Sequence, residues 1–518
     1  MRQQSCGING AELLWQYNRK MERIIINGEE KQVASGELLS KILRENSNFK
    51  MPCAGQGHCG KCKIYAVGQL SAPDSVEKRL LAQEELENGI RLACRTRVQG
   101  AAEIRWTQQD SAQILLGRQA AAGGTPLFRT LGVAVDIGTT TLAAQLYDEK
   151  GLAARAGCDN PQSVFGADVI SRIGRSMQGA AHQLAVSVRE GINSLLTRLC
   201  LESGYEPAQI DTMVVTGNTA MLYLLTERNP ECLSHAPFEA DWLAGEWIKG
   251  EELDLACGQA DVFLPPCISA FVGADITTAL LAVDILKGKR KRLFVDIGTN
   301  GEIALWNQGT LLCCATAAGP AFEGAGLSMG MQGENGAISH VTYDDSKAVF
   351  QIEVIGGGTA VGICGSGVID AVNCLLKSGW LDDTGYLEEE PALIGGNVTM
   401  TQEDIRKVQL AKSAICAGIR ALLHETGLSM TQLDELLVAG GFGSFLNLES
   451  ARGIGLLPKE EPGETIVCGN AALSGAAKLL RDGACERTVA QIAAQAKSLN
   501  LAEDVFFAEQ YVEGMFFE

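Results

Sequence analysis

The chain has 518 residues, 46% apolar and 20% charged, with 43 basic against 62 acidic side chains and a formal net charge of −19. That length allows about three domains, the apolar fraction excludes wholesale disorder, and the acidity argues against nucleic acid as a partner. Glycine is abundant at 59 and proline scarce at 13, which points to many tight backbone turns rather than to a Pro/Gly linker protein. The 17 cysteines are too diluted for a secreted disulfide scaffold. Most, such as Cys313-Cys314 and Cys416, lie in apolar contexts and read as small buried hydrophobes. The first residues carry no apolar signal-peptide core, and no uninterrupted apolar stretch reaches the ~18 residues of a membrane span. A cytoplasmic protein without a membrane anchor is expected.

Residues 1–20 show no pattern and are read as a tail. RIIINGEEKQV, from Arg23, reads as a hairpin turning at Asn27-Gly28. Ser35 is placed to cap a helix through Glu37–Arg44, whose apolar positions 38, 39, 42 and 43 share one face. A Gly- and Cys-rich loop runs from Pro52 to Lys63, followed by the strand KIYAVG and the closing segments IRLACRTRV and AAEIRW. These make a first domain over 21–106. Residues 107–128 are low in pattern and read as a linker. Beyond it, apolar strands alternate with long helical patterns, which is an α/β signature. The strand–DIGT–strand unit of LGVAVDIGTTTLAAQLYDEKG recurs in KRLFVDIGTNGEIALWNQGT. Two such units in matching contexts imply a duplicated domain, with halves at 129–288 and 289–518.

The cysteine loop is the first chemical constellation. Cys53, Cys59 and Cys62 lie in CAGQGHCGKC and Cys94 follows in a spacing of C-x5-C-x2-C-x31-C. Four thiolates, three from one loop and one from a distant strand end, can hold a [2Fe–2S] cluster. A zinc site or plain buried thiols are the other readings. His58, inside the loop, is read as a solvent-facing residue.

The second constellation is glycine and phosphate chemistry. Each DIGT turn exposes consecutive N–H groups that form an anion nest. Gly138 and Gly298 let the backbone approach phosphate, and Thr139, Thr140, Thr299 and Asn300 supply further donors. Asp136 and Asp296 suit Mg²⁺ or its waters. A third turn, Gly440-Gly441-Phe442-Gly443, follows the apolar strand DELLV. Gly365-Ser366 opens an apolar helix whose N-terminus can receive an anion. Glu323, in AGPAFEGA, is a candidate contact to ribose or metal. Gln409 and Lys412 share a helix face, and nucleotide contact or a solvated face fit them equally well.

These residues carry a family resemblance. The Cys loop resembles the ferredoxin β-grasp family, with five residues between the first two cysteines as in its adrenodoxin-like branch. DIGTTT, DIGTNGE and GGFG resemble the phosphate and adenosine turns of the actin-like ATPase superfamily. Together they look like the ferredoxin-fused reductive activators of corrinoid proteins. The resemblance implies an α+β β-grasp [2Fe–2S] domain followed by a duplicated α/β actin-like (ribonuclease H-like) ATPase fold. It also implies ATP and Mg²⁺ at Asp136, Asp296 and Glu323, and reduction of a corrinoid protein from Co(II) to Co(I). A low-potential electron donor of unknown identity and a homodimer complete the expected partners. Longer family members place a middle domain after the linker, and the short segment between Trp106 and Leu131 leaves no room for it here. The alternative is a redox-sensing ATPase or small-molecule kinase, with Asp168 and Asp275 as the nearest candidate bases. A dehydratase activator is a third reading, disfavoured by the ferredoxin domain.

Overall fold

The computed structural model describes residues 20–46, 49, 62–106, 124–344, 346, 348–441 and 445–517. Cys53, His58, Cys59, Phe442 and Gly443 therefore lie outside the described residues, as does nearly all of the N-terminal tail. The chain divides into two compact units, Met1–Gln109 and Asp110–Glu518.

In the first unit, strands β1 (Met21–Ile26) and β2 (Glu29–Ala34) pair antiparallel. Asn27 and Gly28 turn them with φ of 48° and 91°, the two positive values that a tight hairpin requires. Helix α1 (Leu39–Asn46) begins later than the Ser35 cap implied. Ser35 and Gly36 form a turn, with Gly36 at φ 85°, and Leu38 bridges to Arg97, so the helix starts only after that bridge. Then come β3 (Lys63–Leu70), the short helices α2 (Ser75–Leu80) and α3 (Gln83–Glu87), β4 (Ile90–Leu92) and β5 (Val98–Arg105). The sheet order is β2-β1-β5-β3-β4, with β1 and β5 parallel. Ile24, Leu39, Leu43, Leu92 and Ile104 are fully buried between sheet and helix. This is the expected β-grasp arrangement.

The second unit repeats one topology. In its first lobe, β6 (Leu131–Ile137), β7 (Thr141–Asp148) and β8 (Gly151–Asp159) form an antiparallel meander. Helices α4 (Val169–Arg175) and α5 (Ala181–Ser203) lead to β9 (Ile210–Gly217), parallel to β6. Helix α6 (Thr219–Leu225) follows, then β10 (Glu246–Lys249), β11 (Asp261–Leu264) and α7 (Ala274–Ala282). The sheet order is β10-β11-β9-β6-β7-β8.

The second lobe has the same meander in β12 (Arg292–Ile297), β13 (Gly301–Asn307) and β14 (Thr310–Thr316). An insertion of β15 (Ala337–Asp344), β16 (Val349–Val354) and β17 (Gly362–Ile363) makes a small sheet. Helix α8 (Gly365–Ser378), the pair β18 (Ala392–Gly395) and β19 (Val398–Met400), and helix α9 (Gln402–Thr426) come next. Strand β20 (Glu435–Gly440) then runs parallel to β12, as β9 does to β6. Helix α10 (Leu448–Gly453), β21 (Glu464–Gly469), α11 (Ala471–Arg481), α12 (Cys485–Gln495), β22 (Ala496–Ser498) and α13 (Val505–Glu513) complete the chain. The order is β21-β20-β12-β13-β14-β22.

The first strand of each meander is a near-continuous apolar run buried on both sides, as a central strand flanked by helices requires. Each lobe has its own core. A third apolar layer, with Phe294, Ile276, Leu280, Leu473 and Leu480, is shared by both lobes around helices α7 and α11. The two helices cross at Gly475, where a Cβ would stand 1.7 Å from the Thr278 carbonyl oxygen. Phe128, assigned to the linker from sequence, is buried in this shared layer, and the Leu127 amide donates to Leu480. The ATPase unit therefore starts a few residues earlier than expected. The expectation of core thiols holds for Cys313, Cys314 and Cys416, while Cys158, Cys232 and Cys468 are half-buried.

Candidate functional site

In the first unit, Cys62 enters β3 and Cys94 lies on the turn between β4 and β5. The Ala93 amide donates to the Cys62 carbonyl at 2.9 Å, which holds the two segments side by side. Both thiols are buried, and their sulfurs are 3.3 Å apart. That is too long for an S–S bond of about 2.05 Å and suits two thiolates sharing one metal. The turn itself is fixed from beneath. Glu77, buried at the start of α2, accepts hydrogen bonds from Arg91 Nε (3.0 Å) and Nη2 (2.8 Å), the Leu92 amide (3.0 Å) and Thr96 Oγ1 (3.1 Å). These groups bracket Cys94.

Burial alone would raise the Glu77 pKa, but the bonds from Arg91, Leu92 and Thr96 hold it below the ordinary value. A depressed carboxylate contributes stability above its unfolded pKa and loses it as pH falls through the folded one. Acidification below about pH 4.5 should therefore loosen the Cys94 turn. Glu77→Gln is expected to cost about 3–5 kcal/mol at neutral pH and to flatten the acid limb. Urea unfolding of the whole protein at several pH values checks both. An unchanged acid limb would mean that the pair does not carry it.

In the second unit, a cavity of about 600 Å³ lies between the lobes. Both hairpin turns line it, with Asp136, Gly138, Thr139 and Thr140 from the first and Asp296, Gly298, Thr299 and Asn300 from the second. Arg172, fully buried on α4, supports the first hairpin by donating to the Thr139 carbonyl at 2.6 Å and to the Gly166 carbonyl at 3.0 Å. Burial pulls its pKa down to about 10, so it stays charged at neutral pH. Asn160 donates to the Gly138 carbonyl at 2.8 Å. The Glu323 carboxylate reaches both hairpins, accepting from Thr140 Oγ1 and, at 2.9 Å, from Thr299 Oγ1. Cys364, Gly365 and Ser366, at the N-terminus of α8, also line the cavity. So do Gly440 and Gly441. Gly440 has φ 131° and a Cβ there would stand 2.4 Å from the Ile297 carbonyl oxygen, so β20 ends in a turn open only to glycine.

The cavity gathers carboxylates. Burial pushes Asp136 up to about 6. Burial, then the Asp136 charge, pushes Asp275 up to about 7. Burial, then Asp275, Asp136 and Glu323, pushes Asp296 up to about 8. Glu302 is raised by burial and by the Asp275 and Asp296 charges. Carboxylates so crowded call for a cation. Among the described residues no three His, Cys, Asp or Glu side chains converge into a metal-binding group. Carboxylate oxygens are the donors that Mg²⁺ favours.

Two sequence expectations fail here. Gln409 and Lys412 do not line the cavity. They are buried on α9 and hold the C-terminal segment: Gln409 Nε2 donates to Met515 O at 2.7 Å, and Lys412 Nζ donates to Gly514 O at 2.7 Å and lies over the Phe517 ring. Neither a nucleotide contact nor a solvated face describes them. Asp168 caps α4 through the Ser171 amide at 2.8 Å and is likewise outside the cavity, so it is no kinase base. Asn470, Asn218 and Glu302 were missed. Asn470 Nδ2 donates to Asp136 at 2.9 Å and Asn218 Nδ2 to Thr139 Oγ1 at 3.2 Å. Each caps a helix after a strand ending in Gly-Asn, and that shared pair of letters was the available signal.

Comparison with known proteins gives this geometry a family. Three family profiles match in chain order: a 2Fe-2S iron-sulfur cluster binding domain over residues 24–99, the RACo middle region over 131–288, and the C-terminal ASKHA domain of RACo over 290–518. The corrinoid activation enzyme RamQ of Eubacterium limosum is 34% identical over 419 residues, which cover 74% of this chain and 70% of that protein. The chain belongs to the RACo family. A reductase of the methylated-amine-specific Co(II) corrinoid protein from Methanosarcina barkeri is 25% identical over 364 residues, covering 63% of this chain and 66% of that one. The solved structure of a reductive activator for a corrinoid, iron-sulfur protein superposes with a TM-score of 0.71 at 28% identity, covering 96% of this chain and 98% of its own. The RACo middle region coincides with the first lobe. The short linker therefore does not leave this chain without it, contrary to the sequence expectation. No helix among the described residues is long and apolar enough to cross a membrane.

Proposed function

We propose that this RACo-family chain couples ATP hydrolysis in its interlobe cleft to one-electron reduction of a corrinoid protein, returning Co(II) to Co(I). The observation that carries the reading is the pairing, in one chain, of the Cys62–Cys94 sulfur pair with a cleft lined by two DIGT hairpins. Of the two candidate bases of the redox-sensing kinase alternative, Asp168 is outside the cleft and Asp275 lines it, and what favours the corrinoid reading is that the family relatives act on corrinoid proteins.

Cys53, Cys59, Cys62 and Cys94 would hold the [2Fe–2S] cluster, which would supply the electron. Asp136 and Asp296 would hold Mg²⁺, which would supply positive charge against the phosphates. The hairpin amides and the hydroxyls of Thr139, Thr140 and Thr299 bind the phosphates, and the Gly365-Ser366 helix N-terminus adds a further anion contact. The turn at Gly440-Gly441 would face the adenosine, and Phe442 and Gly443, which follow in sequence, keep the adenosine role that the family resemblance gives them. Once phosphate takes the hydroxyls of Thr140 and Thr299, the Glu323 carboxylate is released to accept a hydrogen bond from the attacking water. An external low-potential electron donor, the cytoplasm and a homodimer belong to this reading.

ATP has a thermodynamic task. A plant-type [2Fe–2S] centre sits near about −400 mV, and a corrinoid Co(II) in its resting ligation is harder to reduce. ATP can help only if the nucleotide-bound state prefers one form of the partner, since coupling is a difference of contacts between states. Dithionite-reduced protein mixed with Co(II) corrinoid protein and MgATP should develop the Co(I) absorption spectrum. Equal rates with and without nucleotide would sink the coupling.

A further inference from the structure

The interlobe cavity does not stop at the hairpins. It continues over β8, an edge strand of the first lobe's sheet, where Arg155, Gly157 and Arg198 line it, and Gln332 of the second lobe reaches the same strand by donating to Asp159 at 3.1 Å. Charge is segregated along it. Its five lining carboxylates, Asp136, Asp275, Asp296, Glu302 and Glu323, belong to the hairpin end, and its two guanidiniums belong to the extension.

The register of β7 with β8 sets the scale. Thr141, at the end of the first hairpin, pairs with Asp159, Ala143 with Gly157 and Gln145 with Arg155. At ~3.4 Å per residue, Gly157 lies about 7 Å and Arg155 about 14 Å along the strand from the hairpin. Arg198, on α5, is fixed near the first of these points, since Nη1 donates to the Gly157 carbonyl at 3.3 Å and Nε lies 3.6 Å from Glu202. The Arg155 guanidinium has no hydrogen bond or ion pair among the described residues. The first hairpin, which binds phosphate on the nucleotide reading, adjoins this extension directly, since Thr141 at its end pairs with Asp159 on β8.

We propose that the extension is the seat of inorganic phosphate released from ATP, a tetrahedral oxyanion held by Arg198 and Arg155 before it leaves the cleft. The inference rests on the nucleotide reading of the cleft. In hydrolysis the water oxygen bonds to the γ-phosphorus and the bond from phosphorus to the β,γ-bridging oxygen breaks, its electron pair staying on ADP. The water's proton is passed to solvent. The phosphate so formed cannot retreat past ADP, and the extension offers it two guanidiniums suited to oxyanions.

The test is steady-state ATP hydrolysis by the cluster-loaded protein with added inorganic phosphate or, separately, ADP. Phosphate should inhibit the wild type. Arg198→Gln and Arg155→Gln should each weaken that inhibition about tenfold or more, with ADP inhibition left in place. Arg155→Gln guards against a folding artefact, because Arg155 is exposed and its head group has no hydrogen bond or ion pair among the described residues. Phosphate inhibition unchanged in both variants would overturn the proposal, as would equal weakening of phosphate and ADP. A raised KM for the corrinoid protein with phosphate inhibition intact would also overturn it and assign the arginines to the partner. Absence of ATP hydrolysis in the wild type would instead overturn the nucleotide reading, and this inference with it.

Discussion

Cys94→Ala is expected to abolish the [2Fe–2S] absorption and EPR signals, and Co(I) formation with them, while ATP hydrolysis persists. The buried Cys94 sulfur stands 3.3 Å from that of Cys62, so the two thiolates converge on one point. Removing one leaves three ligands where the cluster needs four. The Glu77–Arg91 support of the turn does not involve the Cys94 side chain, so the backbone has no reason to move. The cysteines and the cleft belong to separate compact units, which makes retained hydrolysis the natural control. An anaerobically prepared variant that keeps its EPR signal would show that Cys94 is no ligand.

Asp296→Asn should cut ATP hydrolysis by about 10²–10³-fold, the scale seen when one preorganised electrostatic group is lost, and leave the cluster spectrum intact. The same change should stabilise the nucleotide-free protein. Burial and the charges of Asp275, Asp136 and Glu323 raise the Asp296 pKa from an ordinary 3.8 to about 8. A carboxyl raised on folding favours the folded state most below its unfolded pKa, and that advantage is lost as pH climbs toward the folded value. At pH 7 the wild type has lost most of it, whereas the amide does not titrate. A higher Tm together with lower hydrolysis separates loss of chemistry from loss of fold. A lower Tm at neutral pH would contradict the picture of crowded charge.

The chemistry was legible where it is local in sequence. The three loop cysteines and each DIGT turn lie within a few residues, so spacing alone points to thiolate ligation and phosphate binding. The duplication was legible because both meanders keep the same order of strand, turn and strand. What stayed hidden depends on distant partners. The Asn470–Asp136 bond joins residues 334 positions apart, and the Gly-Asn pair announces the helix cap but not its distant partner. Gln409 and Lys412 were correctly placed on one helix face. What covers that face is the chain's own end, 106 residues beyond Gln409, and periodicity says nothing about a cover. The start of α1 was misjudged for a related reason, because the Leu38–Arg97 bridge competes with the Ser35 cap.

Glu323 links one hairpin hydroxyl from each lobe through a single carboxylate. In this respect the chain carries its own surrogate for a phosphate group. Nucleotide entry is therefore an exchange of one anion for another, and part of the intrinsic binding energy goes to evicting the incumbent. The same contact ties the two hairpins together through one side chain, so a substitution at Glu323 touches both lobes at once.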